Sequence, residues 1–138
     1  MQSILNPYLS FVDNAREAME FYKSVFGGAL NVMPFAGGPM GHDPADANKL
    51  MHARLEAPSG MVLMGSDTPV SMGSPRANGT ICLSGDDGPE LEGYWQKLTA
   101  GATISAPLAA APWGDRFGML ADKFGVTWIV NISPRKAA

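Results

Sequence analysis

Apolar positions along the chain change their period several times, and each change marks an element. Residues 4–12, ILNPYLSFV, are dense in β-branched and aromatic side chains and predict a strand. Pro7 cannot donate to a sheet, so this strand is expected to start at the proline or to lie at a sheet edge. Residues 15–26, AREAMEFYKSVF, move to the helical period, with Ala18, Met19, Tyr22, Val25 and Phe26 on one face. Asn14 followed by Glu17 makes a capping-box-like start, and Gly27-Gly28 supplies the left-handed residue that stops a helix. The second half repeats the order. Residues 79–84, GTICLS, predict a strand. Asp87 is placed as a helix cap, with Pro89 in the first turn and Glu90 three residues after the cap. The helix EGYWQKLTA follows and Gly101 ends it.

Two hairpins complete the pattern. Residues 50–57, LMHARLEA, and 61–65, MVLMG, flank Pro58-Ser59-Gly60. Residues 117–121, FGMLA, and 126–132, VTWIVNI, flank Asp122-Lys123-Phe124-Gly125, so both turns end in glycine. Residues 34–49, 66–78 and 105–115 read as long loops, a length often used for lids or binding loops.

The two halves keep register. Asp13 and Asp86, Asn14 and Asp87, Glu17 and Glu90, Phe21 and Tyr94, Tyr22 and Trp95, and Gly28 and Gly101 are all 73 residues apart. Six matches without a gap favour a duplicated strand–helix module, with halves near 1–70 and 71–138 forming one domain.

Composition narrows the function classes. At 138 residues the chain can bury a core without a metal or disulfide staple. Cys82 is its single cysteine, which excludes an intrachain disulfide framework and makes a cytoplasmic location the expectation. A net charge of −3 and a pI near 5.2 argue against binding nucleic acid. No apolar run approaches the roughly 18 residues of a membrane span, and Met1-Gln2-Ser3-Ile4 has no signal-peptide character. Charged residues make up 17%, below the usual ~25%, and there are 9 methionines. A surface so short of charge is expected to be partly covered by a second copy, as a homodimer.

A strand–helix–three-strand module occurring twice resembles the vicinal oxygen chelate superfamily of glyoxalases, extradiol dioxygenases and bleomycin-resistance proteins. The sequence is most similar to its PhnB-like branch. The residues that carry the likeness are Asn6-Pro7-Tyr8-Leu9-Ser10-Phe11, Glu17-Ala18 to Phe21-Tyr22, Met51-His52-Ala53, Leu63-Met64-Gly65-Ser66-Asp67, Phe117-Gly118 and Asp122-Lys123-Phe124-Gly125-Val126-Thr127-Trp128. The resemblance implies an α+β fold. Two βαβββ modules would form curved mixed β-sheets around a cup, with the helices outside. It implies chemistry only weakly, because the scaffold hosts lyases, dioxygenases and pure binders. Members of the branch are sometimes labelled ubiquinone-pathway methyltransferases. This sequence has no Gly-rich turn after a strand with an acidic residue beyond it, as methyl-donor binding in a Rossmann-like fold requires.

Metal-bearing members hold their ion from the first and last strands of each module. Counting from the helix aromatic pair and the hairpin glycines places those positions at Pro7, Met64, Thr80 and Ile129, none a usual hard-metal ligand. The superfamily's metal site is therefore not expected, and no cofactor is implied. Other residues carry the candidate chemistry. His52, Arg54 and Glu56 alternate with Met51, Ala53 and Leu55, so the polar set is expected to look into the cup. There His52 would bond a ligand or act as a base, with a satisfied polar ladder as the alternative. In the last strand, Val126, Trp128 and Val130 are assigned to the helix side, and Thr127, Ile129 and Asn131 to the cup. Trp113-Gly114-Asp115-Arg116 combines an aromatic face with a guanidinium suited to an anion, or else forms a structural loop in which Asp115 caps a turn. Ser66-Asp67 reads as a turn start, His42 as solvated and Cys82 as an inert buried thiol. Met40, Met61, Met64 and Met72 read as core filler or adaptable pocket lining. The expected function is binding of a small molecule, with a metal-independent His52 enzyme, or one with other metal ligands, as the alternative.

Overall fold

A computed structural model of the chain describes residues 5–38, 41–58, 60–73 and 77–134. It contains eight strands and two helices: β1 (Tyr8–Phe11), α1 (Ala15–Phe26), β2 (Ala29–Pro34), β3 (Leu50–Glu56), β4 (Val62–Asp67), β5 (Ile81–Gly85), α2 (Gly88–Leu98), β6 (Thr103–Ala110), β7 (Arg116–Ala121) and β8 (Thr127–Ile132). They form two mixed four-stranded sheets, in the orders β1-β4-β3-β2 and β5-β8-β7-β6. The first and last strands of each module pair in parallel and the other pairs are antiparallel. The chain divides into two compact units, 1–77 and 78–138, each one βαβββ module. This is the α+β architecture the sequence implied. Among the described residues no helix is long and apolar enough to cross a membrane.

In the first unit, α1 buries Ala15, Ala18, Met19, Tyr22, Val25 and Phe26, the stripe its spacing predicts. It packs on the sheet face formed by Leu9, Phe11, Ala53, Leu55 and Leu63. Gly65 makes that approach possible, because a Cβ there would lie 3.3 Å from the Phe11 ring and 3.4 Å from the Met19 sulfur. Gly28 is needed more strictly. Its φ is +95°, and a Cβ would lie 1.9 Å from the Glu56 carbonyl oxygen. Pro7 stands just before β1, an edge strand, and its carbonyl accepts the Met64 N–H. Ile4, Met40 and Ser59, each part of an expected element or site, lie outside the described residues.

The second unit is built the same way. The Asp87 carboxylate caps α2 by accepting the Glu90 N–H at 3.2 Å, and Leu91, Trp95 and Leu98 are buried. Gly118 lies beneath Trp95, where a Cβ would come within 2.8 Å of the indole. Asp122 accepts from the Phe124 and Val126 amides and from the Trp128 indole N–H, which locks the β7–β8 turn to the core.

Several expectations need correction. The segment 105–115 is not all loop, because β6 runs to Ala110 and only Ala111–Asp115 connects it to β7. Its Pro107 and two breaks in register fit an edge strand. Residues 29–33, left without an element, form most of β2. The Asn14 side chain does not cap α1. The Ala15 N–H instead donates to Asp67, 52 residues away, at 2.9 Å. The constant offset of 73 holds for the helices, which start at Ala15 and Gly88, but not for the strands. The buried Leu9 and Leu83 are 74 apart, and β4 and β8 start 65 apart, at Val62 and Thr127. One residue is missing between β5 and its helix, and the β6–β7 connection is shorter than the β2–β3 one.

Candidate functional site

Alternation decides which side chains each sheet offers on the face away from its helix. In the first sheet, Leu9 and Phe11 of β1 are buried while Tyr8 and Ser10 turn the other way. In β3, Ala53 and Leu55 are buried, and His52, Arg54 and Glu56 lie opposite, as their alternation predicts. Met51 is only half-buried, with its terminal methyl against Gly38. Pairing then assembles rows across the strands. Tyr8, Met64, Arg54 and Asn31 form one row, and Met33 stands opposite His52 in the next. Ser10 pairs with Ser66 in that next row.

Tyr8 of β1 and His52 of β3 meet on this face. The tyrosine oxygen and the histidine Nδ1 are 3.2 Å apart. The two rings stack with centroids 5.8 Å apart and planes 27° from parallel. Tyr8 reaches across β4 to make this contact, since β1 and β3 are not neighbours in the sheet. Beside the pair, the Arg54 Nε donates to the Glu56 carboxylate at 2.7 Å, an ion pair whose members are 36% and 54% exposed. A histidine hydrogen-bonded at one nitrogen and accessible at the other can orient a bound molecule or exchange a proton with it.

The second unit holds the other candidates. Phe117 and Asn131 pair on the face away from α2, and Met119 pairs with Ile129 on the same face. Trp113 sets the edge of its ring against Phe117 at 5.5 Å and is 61% exposed, so these two form an aromatic rim. Asp115 accepts from the Asn131 amide at 2.9 Å, a side-chain tie between the loop and β8. Arg116 does not join this face. It shares the parity of Gly118 and Leu120, whose side lies under α2, and its guanidinium donates to Glu92 of that helix. Trp113 and Arg116 thus leave the loop in different directions. Cys82 is exposed, contrary to the buried thiol expected, because Leu83 takes the inward position of β5.

Acidic residues at the ends of elements serve the scaffold. Asp67 accepts from Ala15 N–H at 2.9 Å and Leu50 N–H at 2.8 Å, which ties the starts of α1 and β3 to the end of β4. Asp46, only 1% exposed, accepts from Val70 N–H at 3.1 Å and pairs with Lys49 at 3.1 Å. Burial works to raise its carboxyl. The hydrogen bonds from Lys49 and Val70, with the charges of Lys49 and His42, outweigh it and hold the group below its ordinary value. His42 is exposed and its ring lies 6.4 Å from that of Phe35.

The positions counted for a metal also shift. Pro7 lies before β1 and is exposed, and the positions of β1 facing away from the helix are Tyr8 and Ser10. Their counterparts in β5, at the 74-residue offset, are Cys82 and Ser84 rather than Thr80. Met64 and Ile129 do lie on those faces, paired with Tyr8 and Cys82. Among the described residues no three His, Cys, Asp or Glu side chains gather in a way that could hold a metal ion. Tyr8 was the residue sequence reasoning missed. Its alternation with Leu9 and Phe11 was visible, but its partner 44 residues away was not.

Comparison with known proteins places the fold among known relatives. Residues 3–131 match the model of a family described as 3-demethylubiquinone-9 3-methyltransferase. A crystal structure of a Pseudomonas aeruginosa protein is 36% identical, covers 97% of this chain and all of its own, and superposes with a TM-score of 0.84. The PhnB protein of Bacillus cereus, whose description carries the same methyltransferase name, is 24% identical over 95% of this chain and all of its own, with a TM-score of 0.71. A Frankia domain described as glyoxylase/bleomycin resistance protein/dioxygenase shares the fold at 12% identity, with a TM-score of 0.64 over 96% of this chain and 98% of its own. The chain shares its fold with PhnB and with glyoxylase/bleomycin resistance protein/dioxygenase domains, and it belongs to the family described as 3-demethylubiquinone-9 3-methyltransferase.

Proposed function

We propose that this protein binds a small molecule on the face of its first sheet away from α1, without the metal site of its superfamily. The observation that carries the reading is the Tyr8–His52 pair. Two aromatic side chains are stacked and hydrogen-bonded on a sheet face beside the Arg54–Glu56 ion pair. Residues that only filled a core would bury these rings, yet Tyr8 is 49% exposed. In the second unit, Trp113 and Phe117 offer a separate aromatic rim to a ligand. Arg116, engaged by Glu92, contributes to α2 packing more directly than to a ligand. We place the protein in the cytoplasm as a homodimer.

The methyltransferase description has less support. A nucleoside-type methyl donor is usually held at the carboxyl ends of a parallel doubly wound sheet. Each sheet here has four strands, three of which pair antiparallel with their neighbours in sequence. A second reading, an acid–base enzyme that uses His52, is favoured by the hydrogen bond at Nδ1, which would orient the imidazole.

Native mass spectrometry and elemental analysis of the purified protein test the proposal. The expected result is a substoichiometric organic adduct lost in His52→Ala, no stoichiometric divalent metal, and no rise in Tm with S-adenosylmethionine. A ligand that binds only the native state must raise Tm. One tightly bound divalent ion per chain, or strong stabilisation by the methyl donor, would overturn it.

A further inference from the structure

Two thioethers flank His52 on the face of the first sheet away from α1. Met33 of β2 is the direct partner of His52 in the antiparallel β2–β3 ladder. Met64 of β4 pairs with Arg54, which sets it diagonal to His52 on the other side. Side chains directly opposite in such a ladder have Cβ atoms roughly 4.5–5.5 Å apart, and diagonal neighbours about 7–8 Å, within reach of long side chains. A methionine sulfur stands two bonds beyond its Cβ on a flexible stem, so both can be brought to the imidazole. Neither methionine fills the core between sheet and helix. Met33 is 43% exposed, and Met64 is half-buried between the inward Leu63 and Gly65.

Tyr8 decides which ring nitrogen His52 offers. Its oxygen lies 3.2 Å from Nδ1, and His52 makes no other hydrogen bond among the described residues. The two nitrogens of an imidazole point in divergent directions, so Nε2 is turned away from the phenol. Tyr8 arrives from across β4, and the opposite side of the ring is that of β2, where Met33 stands. When Nδ1–H donates to the phenol oxygen, Nε2 carries the lone pair and the ring is held in place. Metal-bound histidines ordinarily receive this support at their other nitrogen.

The donor set is soft. Two thioethers and an imidazole suit copper(I), whereas a hard divalent ion requires anionic oxygens. The carboxylates of this sheet are already engaged: Glu56 accepts from Arg54 at 2.7 Å, and Asp67 is buried toward the helix.

We propose that Met33, His52 and Met64 form a site for a soft monovalent metal ion of the copper(I) class, bound through two sulfurs and Nε2, with Tyr8 as a positioning residue. All three side chains are partly exposed, which gives the ion an entry path. Met64 alone belongs to the four positions counted for the superfamily's metal. The proposal does not rest on the small-molecule reading, whose test concerns organic ligands and divalent ions.

Silver(I), a redox-inert ion of the same charge and similar softness, is the probe. It is added as the nitrate, in chloride-free buffer, to the full chain carrying Cys82→Ser, because the exposed thiol of β5 would otherwise take the ion first. Methionine methyl signals and the His52 ring signals are followed by NMR. One equivalent is expected to shift Met33, Met64 and His52 together and to leave Met72, which is 68% exposed, in place. Met33→Leu and Met64→Leu should each weaken binding, and the double variant should lose the His52 shift while its backbone spectrum stays that of the folded chain. Tyr8→Phe should keep the shifts but weaken binding about 10-fold, as loss of an outer-shell partner does. Copper(I), kept reduced under argon, should compete with silver for the same signals, and zinc(II) should not. Silver that shifts Met72 as readily as Met33, or that leaves His52 unmoved, would overturn the site. Competition by zinc(II) equal to that of copper(I) would overturn its soft character. Unchanged silver affinity in Tyr8→Phe would overturn the role of the tyrosine.

Discussion

Asp46 is a carboxylate taken almost fully out of water, and it remains the charged form because its partners outweigh the burial. Lys49 contributes a hydrogen bond and a charge, and Val70 its amide. The folded carboxyl titrates below the unfolded one, so between the two values the native state binds fewer protons than the unfolded state. Stability from this group is therefore complete above the unfolded value and is lost as the pH falls through the folded value. The stability advantage of the wild type over Asp46→Asn is expected to be constant near neutral pH and to shrink in acid. Lys49→Met, which removes the main opposing partner, should move that loss to higher pH. Urea midpoints measured across the acid range test this, and an advantage that does not change with pH would count against it. His42, which adds a minor attraction, is a solvated side chain, as the sequence suggested.

At the scale of elements, the start of α1 depends on a residue from another strand. Asp67 accepts the first helical amide and the first amide of β3, so one side chain fixes the start of a helix and the start of a strand. Asp67→Ala would leave two buried donors unpaired, at about 1–3 kcal/mol each. Asp67→Asn keeps one acceptor and should cost roughly half as much, whereas Asn14→Ala, at a cap whose side chain makes no capping bond, should change the urea midpoint little. Equal losses for Asp67→Ala and Asn14→Ala would contradict this. The same elements indicate how far the sequence could be read. Both helices were legible because burial on one face imposes a period that needs no knowledge of the partner, and both hairpins because glycine marks their turns at Gly60 and Gly125. β2 and β6 were not assigned from their residues. As sheet edges they are half-exposed, and ALNVMP and TISAPLAA do not alternate cleanly. The polar ladder of His52, Arg54 and Glu56 was legible from alternation alone. The contact that gives it meaning, from Tyr8 on a strand two places away, depends on sheet order, and local spacing does not encode that order.

For the whole molecule, the proposed homodimer follows from what the surface lacks. Only 17% of the residues are charged, and Tyr8, Val12, Val32, Met33, Ile104 and Trp113 are all exposed. The sheet edges are protected unequally. β6 carries Pro107 and breaks register twice, both devices that discourage another strand from pairing. β2 has no charged residue and no proline before its last position, and its register with β3 is unbroken from Ala29 to Met33. Val32 and Met33, 37% and 43% exposed, lie on that edge strand. An uncharged, regular edge is a template for a second copy, and antiparallel pairing of β2 with itself gives the closed two-fold interface that homodimers favour. Light scattering on the eluting protein should return twice the 14.6 kDa chain mass. Val32→Lys, which places a charge on the edge, should shift the protein to monomer at only a modest cost to the stability of the isolated fold, because the side chain is already 37% exposed. A monomer mass for the wild type at micromolar concentration would refute the dimer. A dimer that tolerates Val32→Lys would retain the assembly but move its interface away from β2, leaving the exposed Trp113 and Ile104, near opposite ends of β6, as the next positions to substitute.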